Sequence, residues 1–459
     1  MEKVNVCINS QTPLLQFLSP ADGSPGPGWA DTANLTELQE GVDYRFSPGG
    51  VTRMVYPLVR RLLAEGVLDA THWVSLNPVG PRTVHTDGLT LHNVALRPEQ
   101  MGGYGKTKEA IWSTVHGLDM PEPAQDLFWS EEFSEYAYYN RTTSERIRKL
   151  DSQLDFDLFY IHDFQQMPVG KMLDTLKPKL FRWHIPFDAA RIPENWRALF
   201  VGYLDSYDTV VVSSDRYRDG LRTLGFQGTT VRMYPYVDPV EYQRPGKREA
   251  ESMCARWGVR PDDIVVLVVA RMDPAKAHDR VIRAVAKLLP KYPHLRLVLV
   301  GNGSFSGAHG GPGLSKADRW RAHLESEAQR LGIRERVIFA GHVPQEALDC
   351  FYERSLFTVL PSVNEGFGLV VVESWLHQRP TLVTDRAGIA ELIQDGKNGM
   401  LFDPDDLPGL VAKMRRLLDD KGGELARRLA RNAIPTARAC SIATAARDEA
   451  KLMRGVLEA

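Results

Sequence analysis

The chain has 459 residues, enough for two or three domains with separate cores. Its 56 basic and 58 acidic residues nearly cancel, so no whole-chain field points to nucleic acid or an anionic membrane. No run of about 18 apolar residues is present, so no membrane-spanning helix is expected. The N-terminal stretch lacks the apolar core of a signal peptide. Cys7, Cys254, Cys350 and Cys440 are scattered without the paired spacing of a zinc site or a disulfide framework. These features fit a cytoplasmic protein of enzyme size.

Strand-like and helical runs alternate, as expected of parallel sheets covered by helices on both faces. In the first half the expected strands are Val4–Ile8, His72–Leu76, Leu89–Val94, Leu158–His162, Leu180–His184, Thr209–Ser213 and Val231–Tyr234, with helices over Thr52–Leu63 and Ser214–Leu224. Residues 11–46 are rich in Pro, Gly, Asp and Thr and read as an irregular excursion. Residues 100–140 carry Tyr104, Trp112, Phe128, Trp129, Phe133, Tyr136, Tyr138 and Tyr139. The simpler reading of this aromatic stretch is an insertion packed on its own domain; the alternative is a carbohydrate subsite, since sugar C–H faces pack on aromatic rings. A proline-bearing polar stretch places a hinge near residues 236–248. The pattern then restarts with strands Ile264–Val269, Leu295–Val300, Val337–Ala340, Leu356–Leu360 and Thr381–Val383, and a helix from Leu369 to His377.

The most informative run is Pro361-Ser-Val-Asn-Glu365-Gly-Phe-Gly-Leu-Val-Val-Val-Glu373, where a strand hands over to a helix. Ligands bind open α/β sheets at such strand ends. Gly366 and Gly368 let the backbone approach an anion, and the helix start offers unpaired N–H groups. Two carboxylates beside an anion site suit a ligand with phosphate in the middle and hydroxyls at both ends, which describes a nucleotide-sugar. Arg271 and Lys276 follow the strand Ile264–Val269 and supply cations for a diphosphate. Gly301-Asn-Gly303 forms another strand-end turn. In the first half, Ser47-Pro-Gly49-Gly50 precedes a helix, Ile161-His162-Asp163 ends one strand, and Arg182-Trp-His184-Ile-Pro-Phe187 ends the next. Each alone also fits an ordinary structural loop; together they bring ligand-competent chemistry to successive strand ends.

This set resembles the retaining glycosyltransferases of the GT-B fold, in particular glycosyltransferase family four. The second half carries the resemblance through Arg271/Lys276, Gly301-Asn-Gly303, Gly341, the Glu365–Glu373 run, Gly388-Ile-Ala-Glu391 and Gly396-Lys-Asn-Gly-Met-Leu-Phe402. The acceptor-side segments Ile161-His-Asp163 and His184-Ile-Pro-Phe187 are similar to those of trehalose synthase and trehalose-6-phosphate synthase. The resemblance implies an α/β GT-B fold, two Rossmann-like domains facing across a cleft. An acceptor-side domain would span 1–240 and a nucleotide-sugar domain 241–435, with a C-terminal helix in 436–459 packing back on the first.

It also implies roles. Arg271 and Lys276 would hold the donor diphosphate, Glu365 the donor-sugar hydroxyls and Glu373 the ribose. The amides of Gly366, Phe367, Gly368 and Leu369 would bind sugar or phosphate oxygens. His184 would contact the sugar near its reacting carbon, Asp163 the acceptor, and the Gly49-Gly50 loop the distal phosphate. No cofactor or metal is implied. The ligands would be a nucleoside-diphosphate hexose and a small sugar, with glucose as acceptor giving trehalose; a sugar phosphorylase, a nucleotide-sugar epimerase and a non-catalytic nucleotide-sugar binder are the rivals. The bulky Ser374-Trp-Leu-His-Gln-Arg-Pro380 segment and a glycine-rich insertion at 304–315 depart from the family pattern.

Three look-alikes fail. Gly105-Lys-Thr107 lacks the first glycine of a P-loop, where Gln100 stands. Asp155-Phe-Asp157 enters a strand instead of leaving one, and Gly102-Gly-Tyr-Gly105 lacks the rest of a dinucleotide fingerprint.

Overall fold

The computed structural model describes residues 3–18, 30–47, 50–117, 124–302 and 312–459. They divide into two compact units, Met1–Tyr234 with Ala445–Ala459, and Pro235–Thr444.

The second unit is built on a six-stranded sheet of short apolar strands. Across the sheet they run Val337–Gly341, Leu295–Val300, Ile264–Val269, Ser355–Leu360, Thr381–Thr384 and Met400–Phe402. All five pairings are parallel. Valine and leucine fill both faces, as a sheet covered on both sides requires. In chain order this is the doubly wound arrangement, whose strand order reverses between Ile264–Val269 and Ser355–Leu360. The ligand crevice of such a sheet lies beyond the carboxyl ends of those two strands.

The first unit repeats the scheme. The nine described strands of its main sheet run Thr230–Arg232, Thr209–Val212, Lys179–Arg182, Leu158–His162, Val4–Ser10, Leu68–Leu76, Leu89–Val94, Thr83–Thr86 and Thr32–Asn34. Within this sheet the one antiparallel pairing among the described residues is that of Thr83–Thr86 with Leu89–Val94. The order reverses between Val4–Ser10 and Leu158–His162, so Asp163 leaves the sheet at the switch point.

Two expectations are refined. Residues 11–46 hold short strands at Leu15–Phe17, Thr32–Asn34 and Tyr44–Phe46 among their described residues, the first and last paired antiparallel. The strand expected to reach His184 ends at Arg182, before the chain turns toward Pro186. The aromatic stretch is chiefly core: Tyr104, Tyr136 and Tyr139, on the helices Pro98–Val115 and Glu131–Leu154, are at most 2% exposed, whereas Trp129 is 88% exposed. Its interior hydroxyls brace the turn after Asp163. Tyr136 donates to the Phe164 carbonyl, and the Gln166 amide donates to Tyr139 at 2.6 Å. Gly105 lies inside a helix, which closes the P-loop question. No described helix is long and apolar enough to cross a membrane.

Candidate active site

In the second unit the switch point gathers the expected charges. After Ile264–Val269 the chain forms a tight turn, with Asp273 accepting from the Ala275 N–H at 2.9 Å, and a single 3-10 turn Pro274–Lys276. The Ala275 carbonyl accepts from the Val363 N–H at 2.9 Å, which ties this turn to the loop after Ser355–Leu360. Lys276 Nζ donates to Glu365 Oε2 at 2.6 Å, and the Ser362 hydroxyl donates to the same oxygen at 3.0 Å. Burial pushes the Glu365 carboxyl up, but Lys276, Ser362 and Arg271 outweigh it and hold it below the usual carboxylate range. Arg271 is exposed and forms no ion pair among the described residues. One cation therefore neutralises Glu365, and a second, Arg271, acts on it from the exposed side.

The glycines of this loop have individual reasons. Gly368 has φ +104°, and a Cβ there would stand 2.7 Å from Leu360 Cδ2. It caps the helix Leu369–Leu376, and its carbonyl accepts from the Val371 N–H at 3.0 Å. Gly388 is required from outside, since its Cβ would meet the Gly366 carbonyl oxygen at 2.4 Å. The Glu365 and Phe367 carbonyls accept from the Gly388 and Ile389 N–H groups.

Glu373, one turn further along the same helix, is held by two residues that local sequence reading missed. Tyr352 OH donates to Oε2 at 2.8 Å and Tyr242 OH to Oε1 at 3.3 Å. Behind them His377 stacks on Tyr352 at 4.9 Å and meets Asp349 at 3.2 Å. The bulky departure after Glu373 thus supplies Trp375 and His377 to the interior, both 0% exposed.

In the first unit Asp163 sits at the end of Leu158–His162 with φ 69°, a left-handed conformation uncommon outside glycine. Its carboxylate accepts from the Phe164 N–H at 3.1 Å. Burial raises its pKa to about 7, with the Phe164 and His184 amides pulling in the opposite direction. His184 Nε2 lies 2.9 Å from His162 Nδ1, with the rings stacked at 5.2 Å. Burial and the nearby Arg182 depress both imidazoles well below the usual histidine range, so both are neutral. Beneath them the buried Arg182 donates to Glu449 at 2.5 Å, and Tyr160 OH donates to it at 2.9 Å. Glu449 lies on Ile442–Leu457, far away in sequence and without a local motif. Gly50 opens the helix Gly50–Ala64; Gly49, Gly303 and residues 304–311 of the insertion lie outside the described residues.

Two doubly wound units with diphosphate-competent charge at a switch point define a nucleotide-sugar-binding glycosyltransferase of the GT-B class. Residues 251–435 match the family model described as glycosyl transferases group 1, and residues 124–219 match the trehalose synthase N-terminal domain. The chain is 32% identical over 399 residues to D-inositol 3-phosphate glycosyltransferase of Acidothermus cellulolyticus, covering 81% of this chain and 78% of that protein. It is 33% identical over 225 residues to D-inositol 3-phosphate glycosyltransferase 2 of Catenulispora acidiphila, covering 47% of this chain but only 51% of that protein. Among solved structures, a UDP-forming α,α-trehalose-phosphate synthase from Burkholderia xenovorans in complex with glucose-6-phosphate superposes with a TM-score of 0.73 at 16% identity. That match covers 98% of this chain and 100% of the other, and at this identity it bears on fold alone. The chain belongs to the group 1 glycosyl transferases.

Proposed function

We propose that this enzyme moves a hexose from a nucleoside diphosphate to a hydroxyl of a small sugar with retention at the anomeric carbon, glucose as acceptor giving trehalose. The observation that carries the donor half is the Lys276–Glu365 pair at 2.6 Å with Arg271 left over beside it. A neutralised carboxylate reads sugar hydroxyls, and the surplus cation with the Leu369 helix start suits a diphosphate. Glu373, oriented by two tyrosines, suits a ribose diol. On this reading the bond from the anomeric carbon to the diphosphate oxygen breaks as the acceptor oxygen attacks the same face, and the acceptor proton passes to the departing diphosphate. No protein nucleophile and no metal or cofactor enters; the protein contributes positioning and charge stabilisation. The match of 124–219, which contains Asp163 and His184, to the trehalose synthase N-terminal domain favours an unphosphorylated sugar acceptor. The curated relatives' name favours a second reading, a phosphorylated polyol.

Incubation with nucleoside-diphosphate glucose and either glucose or inositol phosphate, with the product identified by nuclear magnetic resonance, separates the two. An α-linked non-reducing disaccharide supports the first. Transfer only to the phosphorylated polyol supports the second, and transfer only to a lipid or polymer sinks both.

The two glutamates should separate in calorimetric titration with free nucleoside diphosphate. Glu373→Ala is expected to weaken binding about tenfold or more, the scale of a lost charge-assisted hydrogen bond. Glu365→Gln should bind the diphosphate nearly normally while turnover falls, because its partner is the sugar. Equal losses of affinity would refute the division of labour.

A further inference from the structure

Beneath the two histidines of the first unit lies a cavity of about 10 Å³, walled by Ile8, Leu58, Leu62 and Met453 and reached by His162 and Glu449. That volume is roughly what one buried water needs. Two polar atoms of its lining residues are buried with no hydrogen-bond partner among the described residues, His162 Nε2 and Glu449 Oε2. Glu449 is 0% exposed and His162 2% exposed. The other carboxylate oxygen, Oε1, already takes Arg182 at 2.5 Å and Tyr160 at 2.9 Å. Burial pushes the Glu449 carboxyl up, while Arg182 and Tyr160 pull it back.

An ionised carboxylate can only accept hydrogen bonds. A water in the cavity must therefore donate one hydrogen to Oε2, and in the arrangement where its oxygen accepts from His162 the imidazole proton is on Nε2. His162 Nδ1 is then a bare lone pair, and the contact at 2.9 Å is made by a proton on His184 Nε2. His184 Nδ1 is left unprotonated. We propose that Glu449 is a positioning residue that, through one buried water and His162, fixes His184 as a hydrogen-bond acceptor toward a substrate hydroxyl. The last step rests on the reading that His184 meets substrate; the tautomers do not.

The test uses the full chain labelled with ¹⁵N-histidine and long-range ¹H–¹⁵N correlation spectra without substrates, assigned with His162→Gln and His184→Asn. Both rings are expected to carry the proton on Nε2, and a proton on Nδ1 of His162 would overturn the proposal. In Glu449→Gln the amide oxygen can still accept from Arg182 and Tyr160, but an N–H then faces the cavity. Both tautomers should invert, with turnover falling about tenfold or more and nucleoside diphosphate affinity unchanged. Unaltered tautomers in the folded variant would overturn the relay. Inverted tautomers with full turnover would overturn the link to substrate, leaving the donor site to its own tests. Should the variant not fold, the wild-type spectrum decides.

Discussion

Lys276→Ala is expected to lower turnover by roughly two to three orders of magnitude, the loss typical of removing one donor to charge that develops in a transition state. Arg271→Ala should fall in a similar range. The two differ in stability. Lys276 is 13% exposed and Glu365 17% exposed, so removing the lysine leaves a largely buried carboxylate without its main partner. A measurable drop in thermal midpoint should follow. Arg271 is exposed and forms no ion pair among the described residues, so its variant should melt like the parent. Lys276→Met combined with Glu365→Gln removes both charges together; it should recover much of the stability and none of the activity. If Lys276→Ala kept near-full turnover, or if the double variant recovered it, the diphosphate assignment would fail.

How far the sequence reaches depends on the range of the forces involved. The strands Leu158–His162, Ile264–Val269 and Leu295–Val300 were legible to the residue, because apolar, largely β-branched or aromatic runs buried on both faces have few other structures available. Thr83–Thr86 and Thr32–Asn34, the last two strands on one side of the sheet, were not legible, since short polar strands are defined by their neighbours. The Glu365–Glu373 run showed its chemistry because glycine, carboxylate and helix start are contiguous. The Lys276–Glu365 contact joins segments 89 residues apart, and only their shared position at strand ends pointed to it. For Glu449, 267 residues from Arg182, a carboxylate on an amphipathic helix looks like any solvated charge. Tyr242 and Tyr352 escaped for the same reason, because which hydroxyl meets Glu373 is decided by packing. Sequence therefore reveals ligand-competent groups on local turns more readily than the groups that hold them.

Asp163 offers the other large effect, and its pH dependence has a definite sign. Burial raises its pKa from an ordinary 3.8 to about 7. If its role is to hold the acceptor hydroxyl by a charge-assisted hydrogen bond, the ionised form holds it more strongly, so transfer should rise with pH through about 7. His162 and His184 cannot supply that limb, because their pKa values are depressed well below 6.5 and both are neutral there. Stability runs the other way. For an acid whose folded pKa is raised, the stabilisation is fully present below the unfolded value near 3.8 and is lost as pH rises through about 7. Asp163→Asn keeps the side-chain shape, and the Asn oxygen can still accept from the Phe164 N–H as Asp163 does at 3.1 Å. The variant should therefore gain stability relative to the parent between about pH 4 and 8. Transfer to the sugar should fall by roughly two orders of magnitude, while slow hydrolysis of the donor by water changes far less. Above all, the limb near pH 7 should vanish. A limb that persists at the same pH in the asparagine variant, or equal losses of transfer and hydrolysis, would remove Asp163 from the acceptor site while leaving the donor half of the enzyme intact.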